Sequence, residues 1–190
     1  MKLACIYIQL WSKPLSHTSR LIYEGRVIKL EIESVTLPNG VALELELVRH
    51  PGGAAVVAVD ESGRVCMLRQ YRHAAGGWLW ELPAGKLETG ETATHTASRE
   101  LAEEAGLHAG SWEVLGKILV TPGFCDETID LFLARNLTAT KLQQQADELI
   151  EIHWMAFGDV LDKVYDGTIS DAKTMLGLIL ADRHINQKTR

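Results

Sequence analysis

Three glutamates, Glu100, Glu103 and Glu104, sit at spacings of three and four in a segment where Ala97, Leu101 and Ala105 recur every fourth residue. A helix brings such positions to one face, a few ångströms apart. Carboxylates that close are destabilising unless a cation neutralises them. Dense oxygen-only sites suit Mg²⁺ or Mn²⁺, and these cations also bind substrate phosphates. Arg99 lies beside the cluster and can pair with a glutamate, while Gly85 and Gly90 permit a tight loop that brings backbone carbonyls near the helix. A glutamate-rich helix face is more often simply solvated, so the surrounding residues must decide between the two readings.

The elements that would hold this cluster can be read from periodicity. Residues 92–105 predict a helix, with Thr92 as its cap and Gly106 as its stop. Residues 26–33 and 41–48 alternate polar and apolar around the turn signal Pro38-Asn39-Gly40, so 21–48 predicts a hairpin half-exposed to solvent. Ala54 to Val59 is a continuous apolar run, as in a fully buried strand. Further strands are predicted at 64–70, 80–83, 112–119, 128–134 and 150–155, with a flexible loop at 74–78 and a polar loop at 143–148. Residues 160–165 and 171–184 predict helices. Strands and helices mix without regular βαβ alternation. The expected class is α+β, a mixed sheet between helices in an α/β/α sandwich, with an N-terminal antiparallel strand arm.

Composition bounds the function. The chain has 190 residues, 46% of them hydrophobic, which suffices for one core and excludes disordered or collagen-like classes. A net charge of −6 lacks the broad positive field of a nucleic-acid binder. Residues 85–107 contain five acids and two bases, so half of that excess lies in the one segment that metal would neutralise. Three cysteines at irregular spacing fit neither a disulfide framework nor a zinc site, and point to reduced thiols in a cytoplasmic protein. No apolar run is long enough to span a membrane. The apolar start of the chain is broken by Gln9 and has no small-x-small cleavage site, so it reads as an extra strand or a loose tail.

Taken whole, Gly85 to Leu107 resembles the Nudix box, G-x5-E-x7-R-E-U-x-E-E-x-G-U with U aliphatic. Gly85, Glu91, Arg99, Glu100, Leu101, Glu103, Glu104, Gly106 and Leu107 fill every defined position. The resemblance implies a loop–helix–loop that binds divalent metal and hydrolyses a nucleoside diphosphate linked to another moiety. It assigns Glu100, Glu103, Glu104 and the backbone carbonyl of Ala84 to Mg²⁺, with Mn²⁺ possible. Glu103 and Glu104 also enter the catalytic set, and Glu91 and Arg99 form a structural salt bridge.

The flanks resemble the ADP-ribose pyrophosphatases and their nucleotide-sugar relatives. Residues 69–73, residues 80–85, the arm at 23–50 and Pro122, sixteen residues past Gly106, carry this similarity, which extends over roughly residues 21–183. It implies Arg72 on the diphosphate or ribose, Glu81 lining the site, Phe124 and Glu127 on a loop over the terminal ribose, and Arg49 reaching a phosphate across a dimer interface. Glu148 is the lead for general base, with Asp147 and Glu151 behind it. Tyr23, Trp78 and Trp80 are the aromatic candidates for the base site, although core packing suits Trp80 better. The expected organisation is an extra segment at 1–20, a dimerisation arm at 21–50, a hydrolase domain at 51–185 and a tail at 186–190. The expected activity is hydrolysis of ADP-ribose or another ADP-sugar by a homodimer, without nucleic acid or membrane as partner. The alternatives are a GDP-mannose or broad nucleotide-sugar hydrolase and, less favoured because the box is complete, a nucleotide-sensing module without catalysis.

Overall fold

The computed structural model describes residues 17–145 and 148–188. The apolar start of the chain and Asp147 lie outside the described residues. The described chain divides into two compact units, one running through His50 and including Gly123–Cys125, the other made of Pro51–Pro122 and the residues from Asp126 onward.

The first unit is a three-stranded antiparallel meander of β1 (His17–Glu24), β2 (Lys29–Thr36) and β3 (Ala42–Arg49), in that order. The hairpin expected from alternation is β2–β3, closed at Gly40 with φ 85°. The additional strand, β1, was hidden because it is an edge strand exposed along its described side chains. No buried face imposes a period of two on it, and its pairing slips between Leu21 and Tyr23. Gly123–Cys125 joins this unit through the Val48 N–H, which donates to the Phe124 carbonyl at 2.8 Å.

The second unit is built around β4 (Gly53–Ala58), buried at every residue. It pairs in parallel with β9 (Thr128–Ala139) and antiparallel with the short β7 (Ala84–Lys86), while β8 (Leu107–Leu119) flanks β9. A second, antiparallel sheet runs β10 (Ile150–Ala156), β5 (Arg64–Arg72), β6 (Gly77–Glu81). Three helices complete the unit: α1 (Ala93–Ala105), α2 (Phe157–Tyr165) and α3 (Ala172–Lys188). Successive strand residues point to opposite faces, and β4 uses both. Ala54, Val56 and Ala58 pack with Ala97, Leu101 and Ala105 of α1. Val57 packs with Val160 and Val164 of α2 and with Leu178 and Ala181 of α3. Helices therefore cover both faces of a mixed sheet, as expected of the α/β/α class. Each fully buried leucine or valine in these clusters stabilises the fold by about 1.5–3 kcal/mol.

Two local expectations change. The loop expected at 74–78 is a single 3₁₀ turn, His73–Ala75, closed by Gly76 with φ 77°, so Trp78 already lies in β6 opposite Tyr71. Strands β8 and β9 also run longer than their apolar cores. Their far ends are half-exposed, and Asn136 adopts φ 55° beside Gly110, where a Cβ would stand 3.2 Å from the Asn136 Cβ. Polar sequence with a glycine looks like a turn, yet here it extends a ladder. No helix among the described residues is long and apolar enough to cross a membrane.

Candidate active site

Thr92 caps α1 by accepting the His95 N–H at 3.3 Å, and Gly106 ends the helix with φ 65°. These two ends fix the helix phase, and its apolar side docks on β4. The carboxylate side then meets β7, which is held against β4 by the pairs Ala84↔Ala55 and Gly85↔Ala54. Glu104, only 3% exposed, accepts the Ala84 N–H at 2.8 Å. Glu100 is also buried, and its Oε1 lies 1.8 Å from where a Cβ on residue 85 would be. Gly85 thus provides space for a carboxylate, whereas Gly90, with φ 85°, supplies the tight turn.

Arg99 ties the loop to the helix. Its Nε and Nη2 donate to the two Glu91 oxygens at 2.9 and 3.0 Å, and Nη2 also donates to the Lys86 carbonyl at 3.2 Å. Its Nη1 donates to Glu100 at 2.7 Å and to Glu103 at 3.3 Å. Glu91 additionally accepts the Thr96 hydroxyl at 2.8 Å and the Glu88 N–H at 3.1 Å. Arg99 above all holds the Glu91 carboxyl well below the usual carboxylate range. The pair expected from the box resemblance is therefore the brace of the loop.

Arg99 serves Glu100 and Glu103, while Glu104 has a backbone N–H as its hydrogen-bond partner. Burial pushes Glu104 up to about 8, with the Glu100 and Glu148 charges adding to the rise against the Ala84 N–H. Burial also raises Glu100, opposed by Arg99 and reinforced by Glu103 and Glu148. Buried carboxylates that resist ionisation, all-oxygen donors and a glycine cradle fit a hard divalent cation. Among the described residues no three acidic, imidazole or thiol groups converge as a finished ligand set, and Arg99 engages both Glu100 and Glu103.

This has a measurable consequence. Without metal, the folded chain holds a proton on Glu104 between its ordinary 4.5 and about 8 that the unfolded chain releases. Folded protein binds more protons there, so the Glu104 contribution to stability falls as pH rises through that window. Melting temperature in EDTA should decline from about pH 5 to about pH 8 more steeply for wild type than for Glu104→Gln. Equal slopes would contradict this account of Glu104.

Arg72 ends β5 beside the turn, opposite Gly77, and Glu81 ends β6 opposite Leu68, so the Arg72 side chain reaches back along the hairpin to Glu81. Arg72 Nε and Nη2 donate to the two Glu81 oxygens at 2.8 and 2.9 Å. Glu81 is 1% exposed and also accepts Lys173 Nζ at 2.5 Å. Lys173 in turn lies 3.0 Å from Asp171. The burial of Glu81 is outweighed by these cations, which keep its carboxyl below its usual range. The hydrogen bonds to Glu81 above all raise the Arg72 guanidinium, with the Glu104 charge adding to the rise. The part played by Lys173 was not foreseen, because nothing local marks a lysine 92 residues from its partner.

The polar loop after Lys141 docks on the end of α1: the Gln143 N–H donates to the Glu103 carbonyl at 3.1 Å and Gln144 Nε2 to the Glu104 carbonyl at 2.9 Å. Glu148 follows, accepting the Gln145 N–H at 3.2 Å, with its charge felt by both Glu100 and Glu104. Glu151 instead lies on β10, 3.3 Å from His153. Glu127 precedes β9, and its carbonyl accepts the Val120 N–H at 3.1 Å. Arg49 and Phe124 belong to the first unit, where Arg49 pairs with Glu31 at 2.9 Å and with Glu33, and Phe124 is 54% exposed. Tyr23 is exposed on β1. Trp78 stacks edge-on against Tyr71 at 6.0 Å, and Trp80 packs into the core beside His153.

The NUDIX domain family model matches residues 49–176, which contain the braced loop, the carboxylate helix and the docked Glu148 loop. The chain belongs to the Nudix family. This Nudix chain is 41% identical over 155 residues to the ADP-ribose pyrophosphatase of Bacillus subtilis (strain 168), covering 80% of its own length and 84% of the relative's. It is 38% identical over 161 residues to the methanol dehydrogenase activator of Bacillus methanolicus, covering 83% and 86%. Its fold matches a crystal structure of an ADP compounds hydrolase with a TM-score of 0.78 at 21% identity, covering 94% of this chain and 96% of that one.

Proposed function

We propose that this Nudix chain hydrolyses the diphosphate bond of ADP-ribose or a related ADP-sugar, releasing AMP and a sugar phosphate. The observation that carries the reading is the buried Glu100–Glu104 face, set on the backbone of β7 by Gly85 and braced by Arg99. The name of the 41%-identical relative supports the substrate class.

In this reading Glu100, Glu103, Glu104 and the Ala84 carbonyl hold Mg²⁺, with Mn²⁺ as the alternative. When bound, the metal spreads the charge of the diphosphate and makes water more acidic. Arg72 uses its Nε–Nη2 edge on Glu81 and turns its other edge to the diphosphate, as a planar guanidinium can. Glu148 takes the proton of the attacking water. The resemblance to the ADP-ribose pyrophosphatases is what proposes Arg49, Phe124 and Glu127 as further substrate-binding residues. The protein works in the cytoplasm, a placement supported by the free thiols of Cys66 and Cys125. It works as a homodimer through the arm, whose Leu21, Ile22, Tyr23, Val27 and Val41 side chains are all exposed. A monomeric mass by light scattering at micromolar concentration would remove the dimer from this reading.

The substrate is tested by kcat/KM with Mg²⁺ across ADP-ribose, GDP-mannose, diadenosine polyphosphates and NADH. The reading expects the highest value for ADP-ribose, with AMP as product. GMP released from GDP-mannose at a higher kcat/KM would overturn it.

A further inference from the structure

We propose that Lys173, at the start of α3, is a positioning residue that orients Arg72 toward the substrate's diphosphate by fixing Glu81 from behind. The inference rests on the proposed role of Arg72 and deepens it. Glu81 is buried, and both of its oxygens are taken on one side by Arg72 Nε and Nη2 at 2.8 and 2.9 Å. Lys173 Nζ approaches Oε2 from α3 at 2.5 Å. The Arg72 side chain remains 42% exposed while that of Lys173 is 14% exposed, so one cation faces outward and the other is enclosed. The Arg72 Nη1 group makes no hydrogen bond among the described residues.

Lys173 is itself anchored. Asp171 accepts the Thr174 N–H at 3.1 Å and its hydroxyl at 2.6 Å, and stands 3.0 Å from Lys173 Nζ. The same Thr174 hydroxyl accepts the Leu82 N–H at 3.0 Å, next to Glu81 in the chain. The start of α3 is thus fastened twice to the segment that ends β6. The bidentate pair fixes Glu81 and Arg72 relative to each other, but the two side chains could still swing together about their torsions. Held by Arg72 and Lys173 together, Glu81 has one orientation, and so has the guanidinium that chelates it. Lys173 also carries a second positive charge against Glu81, so the outer edge of Arg72 keeps its attraction for an incoming phosphate. Without Lys173, the buried Glu81 would draw on Arg72 alone.

The test is a double-mutant cycle on ADP-ribose hydrolysis with saturating Mg²⁺. Lys173→Met is expected to raise KM about 10-fold with kcat within about 3-fold of wild type, because the lost interaction concerns binding rather than chemistry. Lys173→Arg should recover most of the loss, and Lys173→Gln serves in place of the methionine variant if the latter does not fold. In an Arg72→Gln background, Lys173→Met should raise KM no further. Multiplying KM effects, or an unchanged KM in a folded Lys173→Met protein, would overturn the proposal. The failure of Arg72→Gln alone to raise KM would instead reject the role of Arg72 on which it rests.

Discussion

Glu104→Gln should lower kcat for ADP-ribose by at least about 10²-fold at saturating Mg²⁺, the usual scale for losing one electrostatic or acid–base group. The expectation follows from where Glu104 sits. It is 3% exposed, the Glu100 and Glu148 charges act on it, and its side chain accepts a hydrogen bond from the Ala84 N–H. A glutamine keeps the acceptor oxygen for that N–H and nearly the same volume. What it removes is the charge that a cation would meet. Because that charge is disfavoured in the metal-free fold, the variant should melt at least as high as wild type in EDTA near neutral pH. A protein that is no less stable yet inactive is hard to explain by misfolding. Wild-type turnover by Glu104→Gln would remove Glu104 from the metal site.

Gly85→Ala should be nearly as damaging, for a steric reason that involves no charge change. The added Cβ would stand 1.8 Å from Glu100 Oε1 and 2.1 Å from its carboxyl carbon. β7 is paired to buried β4, and α1 is packed on the same strand through its own Ala97 and Leu101, so neither backbone is free to retreat. The Glu100 side chain must therefore leave the surface of β7. We expect a kcat loss on the order of 10²-fold, as for removal of a single charge-stabilising group, together with a stability loss of about 1–3 kcal/mol from overpacking. Steady-state kinetics and thermal melts read the two effects separately. An alanine variant with wild-type kcat would mean that the position of Glu100 against Gly85 does not matter to the reaction.

Much of this site could be read from the sequence because a helix writes its faces into spacing. Glu100, Glu103 and Glu104 declare one stripe of α1, Ala97, Leu101 and Ala105 declare the stripe beside it, and Thr92 and Gly106 mark its ends. The buried run of β4 was equally legible, since no polar residue interrupts it. The features that escaped are those created by contact between distant segments. Gly85 looks like a turn residue until Glu100 is laid across it. Arg72 and Glu81 each suggested a substrate contact, yet their side chains grip each other from opposite ends of the β5–β6 ladder. Lys173 carries no local signal at all. Strand β1 escaped for a different reason: with no buried face there is no alternation to read.

The central claim is that a divalent cation on the Glu100–Glu104 face is needed to split a nucleoside diphosphate linkage. It is tested most directly by following ADP-ribose and its products in purified protein, first in EDTA and then after Mg²⁺ is restored. No turnover is expected in EDTA and, once Mg²⁺ is added, AMP and ribose 5-phosphate are expected in equal amounts. Equal rates of AMP release with and without the chelator, or no AMP release with Mg²⁺ present, would contradict it.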